Sequence, residues 1–337
     1  MESIFVQPYN RLLVTGGAGF IGSAFIRYLL NSLDFSGTII NLDLLTYAGQ
    51  FFQEFRKDSR YQFIQGDIRN GQLIETILTE NRVDAIVHFA AETHVDRSIV
   101  SARPFFETNV MGTLSLLEAV RQFPHIHFHH ISTDEVYGSL GESGSFNEHS
   151  PYLPNSPYSA SKAASDHLVR AFANTYGIST TVSYCSNNFG PRQFPEKFIP
   201  VMISQCLANR PLPVYGRGTN VRDWLYVDDH VEAIWLILQK GKKGERYNIG
   251  GGVAISNLDL LHLLIELLSI ETKTDPQQYR SLITFVQDRA GHDFRYAMDV
   301  AKIRRELGWS PTTGLKEGLI QTIRYYLGGS IPIAFSK

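Results

Sequence analysis

The chain has 337 residues, 43% hydrophobic and 19% charged, with a formal net charge of -2. That length holds one large domain or two modest ones, and the balance is ordinary for a soluble globular protein. A nearly neutral chain gives no electrostatic case for binding nucleic acid or an anionic membrane. The two cysteines, Cys185 and Cys206, show no metal or redox spacing and read as buried free thiols in a reducing compartment. The opening MESIFVQPYNR lacks a basic region followed by an apolar core, so no secretion signal is expected. No apolar run is long enough to span a bilayer. The expected location is the cytoplasm. Neither internal repeats nor low-complexity tracts occur.

In chain order, Leu12-Leu13-Val14 reads as a short buried strand running into Thr15-Gly16-Gly17-Ala18-Gly19-Phe20-Ile21-Gly22 and then a helical pattern through Leu30. Gly17, Gly19 and Gly22 satisfy G-x-G-x-x-G; Gly16, Gly19 and Gly22 satisfy the wider-spaced variant. Such glycines permit a tight turn and close approach of the backbone to a pyrophosphate, which the helix N-terminus then attracts. The next predicted strand, Thr38 to Leu42, ends in Asp43. An acidic residue about twenty positions beyond the glycines accepts hydrogen bonds from ribose hydroxyls and repels a 2′-phosphate, so NAD is favoured over NADP. A third strand, Tyr61 to Gln65, leads to Asp67 and Ile68 at a plausible adenine edge. A fourth, Ala85 to Phe89, leads to Glu92 and Thr93. Helices are expected over Gln72 to Glu80 and Phe105 to Val120. The rhythm is that of a doubly wound parallel sheet covered on both faces, with a further strand near Thr180 to Tyr184.

A strand from Ile126 to Ile131 ends in Thr133, Asp134 and Glu135. Ligands of open α/β sheets bind beyond the carboxyl ends of strands, so these three groups are placed where a substrate would lie. Ser156-Pro157 reads as an N-cap with proline at the first helical position. Tyr158 and Lys162 then share one helix face, and a nearby ammonium favours a phenolate. His125, His127, His129 and His130 resemble a metal cluster, but no Cys or carboxylate completes a set. They read as histidines packed between sheet and helix, with no metal expected.

After Tyr184 the pattern changes to polar loops, Cys185 to Pro191 and Pro211 to Gly218, and to helices over Val231 to Leu238, Asn257 to Leu268, Val300 to Leu307 and Leu315 to Leu327. No linker separates the halves. The expected architecture is α/β, a Rossmann doubly wound sheet with a smaller mixed C-terminal substrate-binding region. Residues 1–188 would bind NAD and carry the catalytic groups, and residues 189–337 would mainly bind substrate, with some segments returning to the sheet. Lys197, Arg222 and Arg289 sit in loops where cations suit a phosphorylated substrate.

Taken together, TGGAGFIGS, AAETHVDRSI, STDEVYG, YSASKAASDH, SNNFGPRQFPEKFIP, PLPVYGRGTNVRDWLYVDDH and RAGHDFRYA resemble the extended short-chain dehydrogenase/reductase superfamily. Within it, the sequence is similar to the dTDP-glucose 4,6-dehydratases over nearly its whole length. Departures are Phe189 where the family usually has Tyr, Phe294 where Arg is usual, and the stretch Phe51-Phe52-Gln53-Glu54. The resemblance implies bound NAD and a reaction without net redox change. Tyr158 is implied as base at the sugar C4 hydroxyl, assisted by Lys162 and Thr133, with Glu135 removing the C5 proton and Asp134 protonating the departing C6 hydroxyl. It implies NAD contacts from Gly16, Gly19, Phe20, Ile21, Gly22, Asp43, Thr46, Asp67, Ile68, Thr108, Tyr158, Lys162 and Asn188. It implies sugar-nucleotide contacts from Thr93, Thr133, Asn187, Lys197, Phe198, Pro213, Tyr215, Arg222, Asn257, Arg289 and His292. A homodimer packed through helices starting near Ala102 and Pro157 is implied as well. Rival readings are a UDP-sugar 4,6-dehydratase, an epimerase or decarboxylase of nucleotide sugars, and a non-catalytic NAD-binding sensor.

Overall fold

The computed structural model describes residues 9–32, 35–50 and 52–328; Phe51 and the first eight residues lie outside them. The first half alternates as expected: β1 (Arg11–Thr15), α1 (Phe20–Asn31), β2 (Thr38–Asp43), β3 (Tyr61–Gln65), α2 (Gly71–Glu80) and β4 (Ala85–His88). It continues through α3 (Val95–Val100), α4 (Arg103–Phe105), α5 (Thr113–Arg121), β5 (His127–Thr133), α6 (Pro157–Tyr176) and β6 (Ser179–Cys185). Buried aliphatic runs such as Leu12-Leu13-Val14 form the inner strands because both sheet faces are covered.

The expected single helix over Phe105 to Val120 is instead interrupted. Residues Phe106–Gly112 form a π-helical segment between α4 and α5. One widened turn displaces the apolar pattern by a single residue, which a stretch this short does not reveal; such turns recur at functional sites.

The second half contains more strand than its loop-like composition promised: β7 (Asn187–Phe189), α7 (Phe198–Leu207), β8 (Leu212–Tyr215), β9 (Val221–Tyr226), α8 (Val227–Lys240), β10 (Arg246–Ile249) and β11 (Ala254–Ser256). It ends with α9 (Asn257–Thr272), α10 (Pro276–Arg280), β12 (Ile283–Val286), α11 (Ala301–Leu307) and α12 (Leu315–Leu327). Pro211 to Gly218, read as a loop, holds β8, whose partner β12 lies far along the chain. Strands of three or four residues are too short to show a period of two.

The main sheet is seven-stranded, in the order β10-β6-β5-β4-β1-β2-β3, and every pairing is parallel. Winding reverses between β1 and β4, which opens a crevice at their carboxyl ends. One apolar cluster joins α1, α8 and α11 to the sheet, around Phe25, Leu29, Ile234 and Trp235. A second joins α2, α5 and α6 to the opposite face, around Ile77, Leu117 and Val169. A third fills the second half, around Ile203, Leu264 and Ile323. Fully burying one such Leu or Ile contributes roughly 1.5–3 kcal/mol. Among the described residues no helix is long and apolar enough to cross a membrane.

The histidines of β5 are part of this frame. His127 bonds Ser179 and Thr181, at 2.9 and 2.8 Å, and His129 bonds Thr181 and Ser183, at 2.8 and 3.1 Å. Hydroxyls on the neighbouring strand thus satisfy the rings. Burial pushes His127 down to about 4. A base with a depressed folded pKa contributes stability that is complete above its unfolded value and is lost as pH falls through the folded value. The stability advantage of the wild type over His127→Gln should therefore shrink by about 3 kcal/mol as pH falls from about 6.5 to about 4, read by urea unfolding. A difference independent of pH would show that His127 is not held neutral.

Candidate functional site

Gly16 leaves β1 at φ +72°, and a Cβ there would stand 2.5 Å from the Ala90 backbone nitrogen at the end of β4. Only glycine lets the two strand ends meet so closely. A Cβ on Gly22 would stand 2.4 Å from the Gly16 carbonyl oxygen, and the helix cap Gly19 offers no side chain to the first turn of α1. That turn is therefore closely backed by glycine and its N–H groups remain free of side-chain caps, an arrangement that fits a pyrophosphate. Gly17 has another reason to be small: its N–H donates to Asn41 Oδ1 at 3.1 Å, and a Cβ would strike that side chain.

Asp43 ends β2. Its two carboxylate oxygens accept the backbone N–H groups of Ala18 and Leu45, at 2.9 and 2.8 Å, which orients them and leaves further lone pairs for a diol. Burial raises its pKa, against the pull of those two N–H groups. Asp67 is held ionised by Arg69, whose guanidinium bonds both of its oxygens, the shortest contact being 2.6 Å.

A single cleft brings most of the expected residues together. Gly16, Gly19, Phe20, Ile21, Gly22, Asp43, Thr46, Asp67, Ile68 and Thr108 line it on the cofactor side. Thr93, Thr133, Asp134, Glu135, Tyr158, Lys162, Asn187, Asn188 and Lys197 line the rest. Phe198, Pro213, Tyr215, Arg222, Asn257, Arg289 and His292 do not line this cleft. Several of them form an adjoining cluster instead. Arg289 lies 3.6 Å from Asp96, Tyr215 Oη donates to Asp96 at 3.5 Å, and the Tyr215 and His292 rings meet edge to face. Arg222 stacks on Tyr296 and donates to the carbonyls of Val221, Asp293 and Phe294. Phe198 packs on Trp224, and Asn257 opens α9 with its N–H on the Asn220 carbonyl.

The catalytic candidates meet where β5 ends and α6 begins. Ser156 caps α6 reciprocally with Ser159, and Pro157 occupies its first turn, as the sequence implied. Past Thr133 the chain turns into a short 3₁₀ segment, Asp134–Tyr137, so the carboxylates project beyond the strand end. Thr133 Oγ1 donates to Asp134 Oδ1 at 3.2 Å, accepts the Glu135 N–H at 3.3 Å, and is hydrogen-bonded to the Tyr158 hydroxyl.

Electrostatics separates the two carboxyls. Burial raises Asp134 well above the ordinary carboxylate range, and the charges of Glu135 and Asp223 push it further. Burial also raises Glu135, but Arg289, Arg222 and Lys197 all oppose that rise. Both carboxyls are thus raised, but unequally: Arg222 and the Thr133 bond restrain Asp134, three cations restrain Glu135, and Asp134 is shifted the more strongly. Arg222 and Arg289 thus act on the carboxyl pair without lining the cleft, and Lys197 acts on Glu135 from within it.

Tyr158 differs from expectation. Burial, then the charges of Glu135, Cys185 and Asp134, raise it well above an ordinary phenol, against the pull of the Thr133 bond. The Lys162 ammonium is directed elsewhere: it donates to the Ile131 carbonyl at 2.8 Å.

Several contributors carried no readable signal in sequence. Asn109, in the π-helical segment, accepts the Glu92 N–H at 2.8 Å and donates to the Glu92 carbonyl and to Ser161 Oγ. It ties the Thr93 loop to the helix of Tyr158. Glu196 lies 3.7 Å from both His94 and Arg97 and accepts the Tyr47 hydroxyl at 3.2 Å, joining the two lips of the cleft. Arg192, against Glu54 and the Phe52 ring, joins them further along. Each depends on segments brought together only by folding.

The profile of the GDP-mannose 4,6 dehydratase family matches residues 13–322. A dTDP-glucose 4,6-dehydratase of Neisseria meningitidis is 50% identical over 94% of this chain and 93% of its own. The crystal structure of a dTDP-glucose 4,6-dehydratase from Bacillus anthracis, in complex with NAD, superposes with a TM-score of 0.87 at 44% identity, covering 95% of this chain and 97% of that one. A UDP-glucuronic acid 4-epimerase from Bacillus cereus, in complex with UDP-glucuronic acid and NAD, superposes nearly as well, with a TM-score of 0.85 at 30% identity over 94% of this chain and 99% of that one. Backbone similarity therefore extends beyond dehydratases, while the higher identity lies with them. By that identity over almost its full length, the chain belongs to the dTDP-glucose 4,6-dehydratase family.

Proposed function

We propose that this chain converts dTDP-glucose to dTDP-4-keto-6-deoxyglucose by C4 oxidation, loss of water across C5 and C6, and reduction at C6. The observation that carries this reading is the adjacent pair Asp134 and Glu135 beside Tyr158 in one cleft, with Asp134 raised more strongly than Glu135. NAD, when bound, supplies reversible hydride transfer and a positively charged ring near the phenol. Gly16, Gly19, Gly22 and the first turn of α1 hold its pyrophosphate, and Asp43 its adenosine ribose. Tyr158 Oη takes the proton of the C4 hydroxyl, and Thr133 Oγ1 bonds the C4 oxygen. Glu135 removes the C5 proton, made acidic by the neighbouring ketone, and Asp134 donates its proton to the departing C6 hydroxyl. The cluster of Lys197, Arg222, Arg289 and His292 suits the diphosphate, with Tyr215 and Phe198 nearby.

Residues 1–188 form the cofactor-binding and catalytic part in this reading and residues 189–337 mainly the nucleotide-sugar part, with β10 returning to the main sheet. The chain works as a cytoplasmic homodimer. Exposed Ile99, Val100, Phe106 and Met111, around the segment that starts near Ala102, favour packing against a second copy. Light scattering that gives a monomer mass at micromolar concentration would refute the dimer.

An epimerase reading requires no acid and base at C5 and C6, and so leaves the carboxyl pair idle. Thymine against uracil rests on one methyl group, worth about 1–3 kcal/mol. NMR of the protein with dTDP-glucose in deuterated water tests the whole reading. A 4-keto-6-deoxy product with deuterium at C5 and the former C4 hydrogen at C6 is expected. Inversion at C4 without loss of water would establish an epimerase, and turnover of UDP-glucose alone would change the nucleotide.

A further inference from the structure

One buried carboxylate behind the site has no part in the reaction above. Asp166 stands one helical turn beyond Lys162 on α6 and is buried. Its Oδ2 accepts the Ser132 hydroxyl at 2.7 Å, and Ser132 lies between Ile131, whose carbonyl holds the Lys162 ammonium, and Thr133. Its Oδ1 lies 3.1 Å from His130 Nε2, and the carboxylate is also hydrogen-bonded by Tyr152. Taking an ion into such surroundings is costly unless charge nearby repays it.

We propose that Asp166 is a positioning residue for the dehydratase site: its carboxylate ties down the strand end that carries Thr133 and supplies the counter-charge that keeps the buried Lys162 ammonium protonated. This rests on the reading given under Proposed function. The surroundings leave few other candidates for either task. Asp166 is faced by His130 from β5, by Lys162 and His167 on its own helix, by Tyr152 from the loop before α6, by Tyr184 from β6 and by Tyr137 from the 3₁₀ segment. His130 is pushed well below its ordinary value, first by burial and then by Lys162, so it is neutral. The tyrosines are all pushed up and neutral. Lys162 is pulled down by burial and held up by Asp166 first and by Cys185 second; Cys185, itself pushed up to about 12, is a neutral thiol at ordinary pH. Asp166 is raised by burial to about 6, so it is mostly ionised at neutral pH, with Lys162 first, then the Ser132 and Tyr152 hydrogen bonds and His167, restraining the rise.

The test follows Lys162 directly. Protein labelled with carbon-13 at lysine Cε, with the Lys162 resonance assigned by its loss in Lys162→Met, is titrated as wild type, Asp166→Asn and Ser132→Ala. Removing the carboxylate lowers the Lys162 pKa, so Asp166→Asn should titrate at least about one pH unit lower than wild type. Ser132→Ala keeps the charge and should leave that titration in place. In the wild type the resonance should also step near pH 6 as Asp166 takes its proton. With dTDP-glucose, Asp166→Asn should lose roughly tenfold or more in kcat with KM nearly unchanged, and the alkaline limb of its kcat profile should move down with Lys162. Ser132→Ala should lose kcat without that movement. A Lys162 resonance that neither steps near pH 6 in the wild type nor moves in Asp166→Asn overturns the proposal, and the wild-type titration stands even where the variant folds poorly. Failure of the wild type to turn over dTDP-glucose would instead count against the dehydratase reading, because the lysine titration needs no substrate.

Discussion

Tyr158→Phe is expected to lower kcat by roughly a thousandfold, within the range of about 10²–10⁴ for loss of a general acid–base group. Phenylalanine keeps the ring, which packs edge-on against Phe105 at 6.4 Å, and keeps the backbone N–H that donates to Ser98. It loses only the hydroxyl shared with Thr133. Stability and affinity for the sugar nucleotide should therefore change little, and the loss should fall on kcat. The same geometry shapes the pH profile. Because burial and the neighbouring carboxylates raise the phenol, activity should rise with pH as Tyr158 ionises in the loaded site, up to the alkaline limb at which Lys162 loses its proton. Stopped-flow absorbance of reduced nicotinamide with dTDP-glucose should show no oxidation by the variant. A variant that keeps a tenth or more of wild-type kcat would remove Tyr158 from the role of base.

Glu135→Gln should fail at a different step. Glutamine has nearly the same shape and cannot accept the C5 proton, so water loss should slow by roughly 10²–10⁴ while C4 oxidation continues. Mixing the variant with dTDP-glucose should produce the reduced-nicotinamide absorbance that Tyr158→Phe lacks, without the 4-keto-6-deoxy product and without deuterium at C5. The charge change has a second consequence. Arg289, Arg222 and Lys197 all stabilise the Glu135 carboxylate, and they lose that anion in the variant. Their attraction for a diphosphate should strengthen, so KM for the sugar nucleotide should fall as kcat falls. Unchanged turnover, or an unchanged KM with reduced kcat, would respectively refute the role of the base and its coupling to the cation cluster.

Both variants probe groups that are legible in the sequence, while others around the site are not. Thr133, Asp134, Glu135, Tyr158 and Lys162 stand in two short contiguous stretches, one after a strand and one at a capped helix start. Local chemistry marks both, and their meeting follows from where ligands lie in a doubly wound sheet. Asn109, Glu196 and Asp166 had no such mark. Asn109 sits in a widened helical turn that hydrophobic spacing passes over, and Glu196 works through partners more than a hundred positions away or on another loop. The Lys162 side chain was legible as a residue of the site but not in its direction, because the Ile131 carbonyl that holds it lies 31 positions upstream.

By itself the sequence determined the sheet's first six strands, the glycine turn at Gly16 to Gly22, the acidic end of β2 and the two stretches that meet where β5 ends and α6 begins, because each follows from local periodicity, capping or spacing. Only the tertiary structure decided that β10 completes the main sheet, that β8 finds β12, and that Arg222 and Arg289 oppose the burial of Glu135 from outside the cleft. Those features depend on long-range pairing and on burial. A short strand carries no period of its own, and the protonation state of a carboxyl is set by whatever folding places around it.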